Sequence, residues 1–252
     1  MRIVYPYMQS KSPENDIIYG VNPVFEVLRA GRRRVDRAMM SEKVQDQPRM
    51  RKLLERMEES RVKVRFGDKN KLFHLCNSKE HQGVLIETEP YPYSPIEPCW
   101  EQDRLLLLDN IEDPQNLGAI IRSAEILGFR HILLPQRGVP GIYPSVVKAS
   151  AGATEHVYIV QSGSAVRYAQ QVAKNDYQVV ALDASGEHLV SELPGKLGKK
   201  FLLVIGGEDK SIGQYILNKA DFVAGIPQYG RVNSLNASVA AGIAMYALGA
   251  PV

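Results

Sequence analysis

From Arg104 onward, short runs of uninterrupted apolar residues alternate with segments of helical pattern. The candidate strands are residues 105–108, 132–134, 157–160, 179–182, 201–205 and 222–226. They are rich in Val, Ile and Leu and show no polar alternation, the mark of strands buried on both faces. Helical patterns fill the gaps at 117–127, 144–151, 164–175, 212–219 and 236–248. Buried strands joined by helices predict an α/β fold built on a doubly wound parallel sheet. Such sheets bind ligands outside the carboxyl ends of their strands, so polar residues there are the first candidates for a site.

The first ninety residues carry a smaller α/β pattern. Residues 1–15 are polar and irregular and read as a flexible lead. Asn22 and Pro23 suit the start of a helix, and Gly31 suits its end. Strand-like runs at 35–40, 62–66 and 83–88 alternate with helical patterns at 48–60 and 69–76. Four prolines between Glu89 and Asp103 exclude a regular helix and suit a semi-extended linker. The expected organisation is a lead over 1–15, a small domain over 16–90, a linker over 91–102 and a larger domain over 103–252. Trp100 in the linker is expected to anchor packing.

Charge divides along the same line. Residues 1–90 hold 18 Lys and Arg against 13 Asp and Glu, whereas the rest hold 13 against 15. An excess of this kind in one part points to a polyanion partner. Arg29, Arg32, Arg33, Arg34 and Arg37 form its densest cluster, equally readable as a nucleic-acid contact or as a solvated helix end. Cys76 and Cys99 make no disulfide framework or metal spacing, and His74, His81, His131, His156 and His188 have no metal or triad spacing. No apolar run approaches the ~20 residues of a membrane helix, and no secretory signal opens the chain. The expectation is a soluble, cytoplasmic, metal-free protein.

The familiar catalytic signatures are absent. There is no Gly-x-Gly-x-x-Gly after a strand, no phosphate-binding Gly-x-x-x-x-Gly-Lys-Ser/Thr, and no Gly-x-Ser-x-Gly elbow. Three other segments stand at strand ends. Asp113-Pro114-Gln115-Asn116-Leu117-Gly118-Ala119-Ile120-Ile121-Arg122 opens a helix that Asn116 can cap. Gly206-Gly207-Glu208 follows an apolar strand, and its glycines permit close backbone approach. The third runs from Ile226-Pro227-Gln228 to Ser234-Leu235-Asn236-Ala237-Ser238, joining the last strand to the last helix, where Ser234 or Asn236 can cap. Singly, each reads as turn or cap chemistry.

In order and spacing, these segments resemble the three motifs of the SpoU (TrmH) family of S-adenosylmethionine-dependent RNA ribose 2′-O-methyltransferases. Ile18-Tyr19-Gly20-Val21-Asn22-Pro23 and His81-Gln82-Gly83-Val84 are similar to that family's substrate-binding domain, and the nearest subgroup is the RlmB-like enzymes. The resemblance implies a deep trefoil knot over roughly residues 180–245 in a parallel-sheet catalytic domain, behind a small α/β substrate-binding domain. It implies S-adenosylmethionine without a metal, held by Gly206, Gly207, Ile226, Pro227, Leu235 and Asn236. It implies catalytic roles for Arg122, Asn116, Glu208, Ser234 and Asn236, and a homodimer in which Arg122 approaches the other protomer's cofactor. RNA is the implied partner, through Arg29, Arg32, Arg33, Arg34 and Arg37. The implied substrate is a guanosine ribose in 23S (large-subunit) rRNA. A tRNA ribose, an antibiotic-resistance site in rRNA and a non-catalytic assembly role are the alternatives. Asp209, Ser211 and Gln228 depart from residues common in the family.

Overall fold

The computed structural model describes residues 15–208, 210–232 and 234–249. Its N-terminal sheet has strands β1 (Asp16–Tyr19), β2 (Val35–Ser41), β3 (Lys63–Gly67) and β4 (Val84–Thr88), in the order β1-β4-β2-β3. β4 is antiparallel to β1 and β2, and β3 is parallel to β2. Helices α1 (Val21–Ala30), α2 (Pro48–Glu59) and α3 (Lys69–Cys76) complete this part. β1 is the strand that the sequence did not announce. Four residues are too few to show a period, and β1 exists through its ladder with β4. Asn15 donates to Asp36 at 2.6 Å and to Glu87 at 3.1 Å, so the last residue of the expected lead is tied to the N-terminal sheet. The rest of that lead, residues 1–14, lies outside the described residues.

Helix α1 ends as expected, with Gly31 left-handed and its N–H on the Val27 carbonyl. Its start corrects the reading of Asn22 as the cap. Gly20 holds the cap position at φ 94°, and the Gln82 side chain accepts from Val21 N at 2.9 Å. Asn22 accepts from Arg49 instead.

The larger sheet comprises β5 (Arg104–Asp109), β6 (His131–Leu134), β7 (Tyr158–Gln161), β8 (Gln178–Leu182), β9 (His188–Leu189), β10 (Phe201–Gly206) and β11 (Phe222–Gly225). The order is β7-β6-β5-β10-β8-β11-β9, and every pairing is parallel. From β5 the chain steps outward to β6 and β7, then returns to build the other wing. The β5–β10 crevice is therefore the switch point at which a doubly wound sheet offers a binding cleft.

The helices of this part are α4 (Pro114–Ile126), α5 (Pro144–Ala149), α6 (Ala165–Ala173), α7 (Gln214–Lys219) and α8 (Ala237–Gly249). Strand alternation sorts them onto two faces. Leu106, Leu108, Leu203 and Ile205 pack with α4, α5 and α8. Leu105, Leu107, Leu202 and Val204 pack with α6 and α7. Both faces are covered, which explains the unbroken apolar strands.

Candidate active site

The site begins at the start of α4. Asp113, not Asn116, caps this helix: its carboxylate accepts from Gln115 N at 2.9 Å, and Pro114 takes the first helical position. Both side chains are of capping type, and the proline decides between them. Asn116 is thereby released for tertiary contacts. It donates to Glu208 Oε1 at 3.3 Å and accepts from Asn236 Nδ2 at 2.9 Å.

Glu208 is the hub. Its Oε1 also accepts from Asn236 Nδ2 at 2.6 Å and from Ala237 N at 3.1 Å, at the start of the thirteen-residue α8. A carboxylate at a helix N terminus is favoured by the helix dipole. Asn236 joins both ends of this arrangement, because its Oδ1 caps α8 by accepting from Ser238 N at 3.0 Å and Val239 N at 3.3 Å. All three protein hydrogen bonds to Glu208 reach Oε1. Among the described residues, Oε2 receives none and remains an open acceptor in an exposed side chain.

Beside this hub lies a cavity of about 290 Å³, lined by Ile205, Gly206, Gly207, Glu208, Ile226, Gln228, Ser234 and Leu235 among others. This approaches the lower end of small-molecule pockets, roughly 300–1,000 Å³. The glycines are required sterically. A Cβ on Gly207 would stand 2.0 Å from the Asn110 carbonyl oxygen, and one on Gly206 would stand 2.7 Å from Ile212 N. Pro227 is exposed between two lining residues without lining the cavity itself. Most of the wall residues are apolar or glycine, and Asp183, Glu208, Ser211, Gln228 and Ser234 bring the polar side chains.

Two wall residues went unassigned in the sequence. Asp183 follows β8 and forms an Asx turn, accepting from Ser185 N at 2.9 Å and Ser185 Oγ at 2.6 Å. Ser211 Oγ donates to its other oxygen at 2.9 Å, across the cavity rim. The Ser185 hydroxyl, chiefly, holds the Asp183 carboxyl below its ordinary range, with the Ser185 N–H and Ser211 adding to this against partial burial. Ser211 thus acquires a role: it ties the loop after β10 to the loop after β8. Gln228, the second departure, lines the same cavity, and Asp209 lies outside the described residues. The signal was present as Asp-x-Ser after an apolar run.

Arg122 stands elsewhere. It is exposed on α4 and lines a separate hollow of about 450 Å³ with Asn22, Glu26, Arg29, Glu125 and His156, where the two parts of the chain meet. Asn116, Glu208 and Asn236 come together within one chain, and Ser234 faces the adjoining cavity. Arg122 does not join them there.

The expected RNA-contacting arginines are also redistributed. Arg33 is 5% exposed and Glu155 1% exposed. The two form a bidentate pair, and Arg33 also bonds Asp16 at 3.0 Å. Burial lifts the Asp16 carboxyl above its ordinary range, although Arg33 opposes the shift. Arg32 donates to the Val157 carbonyl at 2.6 Å and lies 5.7 Å from the ring centres of Tyr91 and Tyr158. Arg32 and Arg33 therefore join the two domains, with these donors directed to the protein. Arg34 is exposed beside Asp36 and Glu89, Arg37 beside Glu87, and Arg29 beside Glu26. The segment expected as a linker is strapped down at the same junction. Tyr91 is buried and donates to the Thr154 carbonyl, and Ser94 N bonds the Ile159 carbonyl. Trp100 meets Tyr177 edge to face at 6.4 Å, the packing role expected of it.

An all-parallel doubly wound sheet with a glycine-cradled cavity and an Asn–Glu–Asn hub at one strand end defines a class that the comparisons make explicit. Residues 103–246 match the SpoU rRNA Methylase family, and residues 17–94 match the RNA 2′-O ribose methyltransferase substrate binding family. The chain belongs to the SpoU family of RNA methyltransferases. It is 32% identical over 242 residues to a Bacillus subtilis protein, YacO, that carries the name of a TrmH-family tRNA/rRNA methyltransferase; the match covers 93% of this chain and 95% of that one. The AdoMet complex of the SpoU methyltransferase AviRb from Streptomyces viridochromogenes superposes with a TM-score of 0.76 at 22% identity, over 94% of this chain and 90% of that one. An AdoMet-bound rRNA methyltransferase from Sinorhizobium meliloti gives 0.76 at 22%, over 93% and 87%. No helix among the described residues is long and apolar enough to cross a membrane.

Proposed function

We propose that this chain is an S-adenosylmethionine-dependent RNA ribose 2′-O-methyltransferase that modifies a guanosine of large-subunit rRNA as a homodimer. The observation that carries the reading is Glu208: one oxygen is saturated by Asn116, Asn236 and Ala237, the other accepts no bond among the described residues, and the residue lines the cavity. Family membership and the AdoMet-bound neighbours support the cofactor.

The cofactor, held by Gly206, Gly207, Ile226 and Leu235 with Pro227 and Asn236 nearby, supplies an electrophilic methyl group. Transfer to a ribose oxygen neutralises charge, so catalysis rests largely on alignment within ~3–3.5 Å. Asn116, Ser234 and Asn236 orient the ribose. Glu208 Oε2 accepts the hydrogen bond of the 2′-hydroxyl and takes up its proton as the oxygen gains the methyl group. Arg122 carries a guanidinium, a donor-only group with no free acceptor site for a proton, and so is no base. It binds the adjacent phosphate and favours the developing alkoxide, and it does so in the site of a second copy. A two-fold interface is supported by the apolar residues that α4 and α8 leave exposed: Ile126, Val239, Ile243 and Tyr246. The family's trefoil knot would run over about residues 180–245, enclosing the cofactor loops.

Methyl transfer to unmodified rRNA and tRNA, followed by mass-spectrometric mapping, tests this. The expected mark is 2′-O-methylguanosine in large-subunit rRNA. A mark in tRNA selects the alternative substrate. Transfer to neither, from protein that binds S-adenosylmethionine, leaves the non-catalytic assembly role.

A further inference from the structure

The cofactor cavity is the first of three hollows along the carboxyl edge of the large sheet. The second, about 130 Å³, shares Gly207, Glu208 and Ala237 with it and lies at the switch point between β5 and β10. The third is larger, about 680 Å³, and shares Asn110 with the second. It lies over the ends of β5, β6 and β7 and carries Arg137 and Arg167. Sharing these residues, the three hollows form a row, or trench, from the cofactor cavity, past the hub, to a basic cradle on the other wing.

The cradle is held in place by the backbone. Gln136 N bonds the Gly163 carbonyl at 3.1 Å, and Ser162 N bonds the Leu134 carbonyl at 3.2 Å, so the two arginine-bearing loops are tied together. Tyr168, 1% exposed, reinforces them by accepting from Ser162 N at 2.7 Å and donating to the Leu134 carbonyl at 3.1 Å. Gly138, at φ 80°, presses against Asn110: a Cβ there would stand 2.8 Å from its Oδ1. Asn110 in turn donates to the Ser211 carbonyl at 3.2 Å, linking the cradle to the loop that rims the cofactor cavity. The Arg167 side chain lies over Gly163, where a Cβ would come within 3.1 Å of its Cδ. Both arginines are exposed, and neither guanidinium is in an ion pair among the described residues. They contrast with Arg34 and Arg37, whose carboxylate partners are already in place.

We infer that Arg137 and Arg167 bind backbone phosphates of the substrate RNA strand that leaves the methylated nucleotide along this trench. The inference rests on the ribose-methyltransferase reading. It assigns the catalytic domain its own RNA grip, separate from the substrate-binding domain. Unpaired guanidinium groups on loops tied by their backbones suit phosphate recognition, because their planar donors reach two oxygens at once.

The test is the double variant Arg137→Glu/Arg167→Glu, with Arg137→Lys/Arg167→Lys as its conservative partner. The probe is unmodified large-subunit rRNA transcribed in vitro. Binding is measured by filter retention across a salt series, methyl transfer on the same samples, and S-adenosylmethionine affinity by calorimetry. The glutamate variant should bind this RNA about ten-fold more weakly at moderate salt, and its log–log salt slope should be shallower by about 1.4, two single-strand phosphate contacts. Its cofactor affinity should match wild type, and the lysine variant should recover most of the RNA affinity. Unchanged RNA affinity and salt slope in the glutamate variant overturn the cradle. Loss of cofactor binding in both double variants also overturns it, since that makes the two loops structural. Wild-type protein that binds the RNA but transfers no methyl group to it refutes the large-subunit rRNA substrate reading alone. Wild-type protein that binds no RNA overturns both.

Discussion

Two glutamates gather the polar groups of this molecule, in opposite surroundings. Glu155 is 1% exposed and spends both oxygens on Arg33, with Thr154 Oγ1 adding a bond at 3.2 Å. Glu208 is exposed, spends one oxygen and lines a cavity. Similar donors and acceptors therefore build different things. A buried network with every site filled fixes the placement of one domain on another. A network with an acceptor left open at a cavity mouth is equipped to receive a ligand. Removing a residue from the first should cost stability, and from the second, chemistry.

The largest effect is expected at the first centre. Arg33→Ala leaves Glu155 charged, buried and unpaired, a loss of about 3–5 kcal/mol. Thermal unfolding should show a markedly lower midpoint or separate transitions for the two domains. RNA binding at low temperature, in protein that remains folded, should fall only as far as the domain junction loosens. A variant with wild-type stability and weakened RNA binding would return Arg33 to the RNA surface and erase the contrast.

At the second centre, Glu208→Gln keeps an acceptor for Asn236 and Ala237 but loses the charge. Methyl transfer should fall about a hundred-fold, with stability changed by less than about 1 kcal/mol. Mixing Arg122→Ala with Glu208→Gln then sharpens the argument. If each site takes Glu208 from one copy and Arg122 from the other, statistical subunit exchange restores about a quarter of wild-type activity, since half the dimers hold one intact site. If both residues serve the same chain's site, mixing restores nothing. The second result would detach Arg122 from the dimer and leave its hollow at the domain junction to be explained within one chain.

The same contrast explains what could be read from the sequence. Strands β5, β6, β7, β8, β10 and β11 were legible because burial on both faces leaves no polar residue to blur them. Strand β1, four residues long, and β9, two residues long, exist only through their partners and have no local signature. The hub was legible as residue types: Asn116, Glu208 and Asn236 stand at strand ends and helix starts. Their convergence was not, because Asn116 and Asn236 are 120 residues apart. The partners of the arginine cluster were hidden for a related reason. A run of like charges records composition, and only the fold shows that Glu155 and Asp16 wait inside for one of them. Asp183 and Ser211 were missed because their contact joins loops from different strands.

That last contact carries the smallest expected effect. Ser211→Gly removes one of the hydrogen bonds that hold the Asp183 carboxyl below its ordinary range. The Ser185 bonds remain and the pair faces solvent, so the loss should be about 0.5–1 kcal/mol. Its pH dependence has a defined sign. A carboxyl whose folded pKa is depressed contributes stability above the unfolded value near ~3.9 and loses it as pH falls through the folded value. The wild-type advantage over the variant should be full at neutral pH and shrink as the medium is acidified below ~4. Because the bond ties two rims of the cavity proposed to hold the cofactor, S-adenosylmethionine affinity should fall two- to five-fold in the variant, up to about 1 kcal/mol. Equal affinity alongside the expected stability change would make Ser211 part of the scaffold, on the same side of the comparison as Arg33. Lower affinity at unchanged stability would place it with Glu208, among groups whose bonds are set for a ligand.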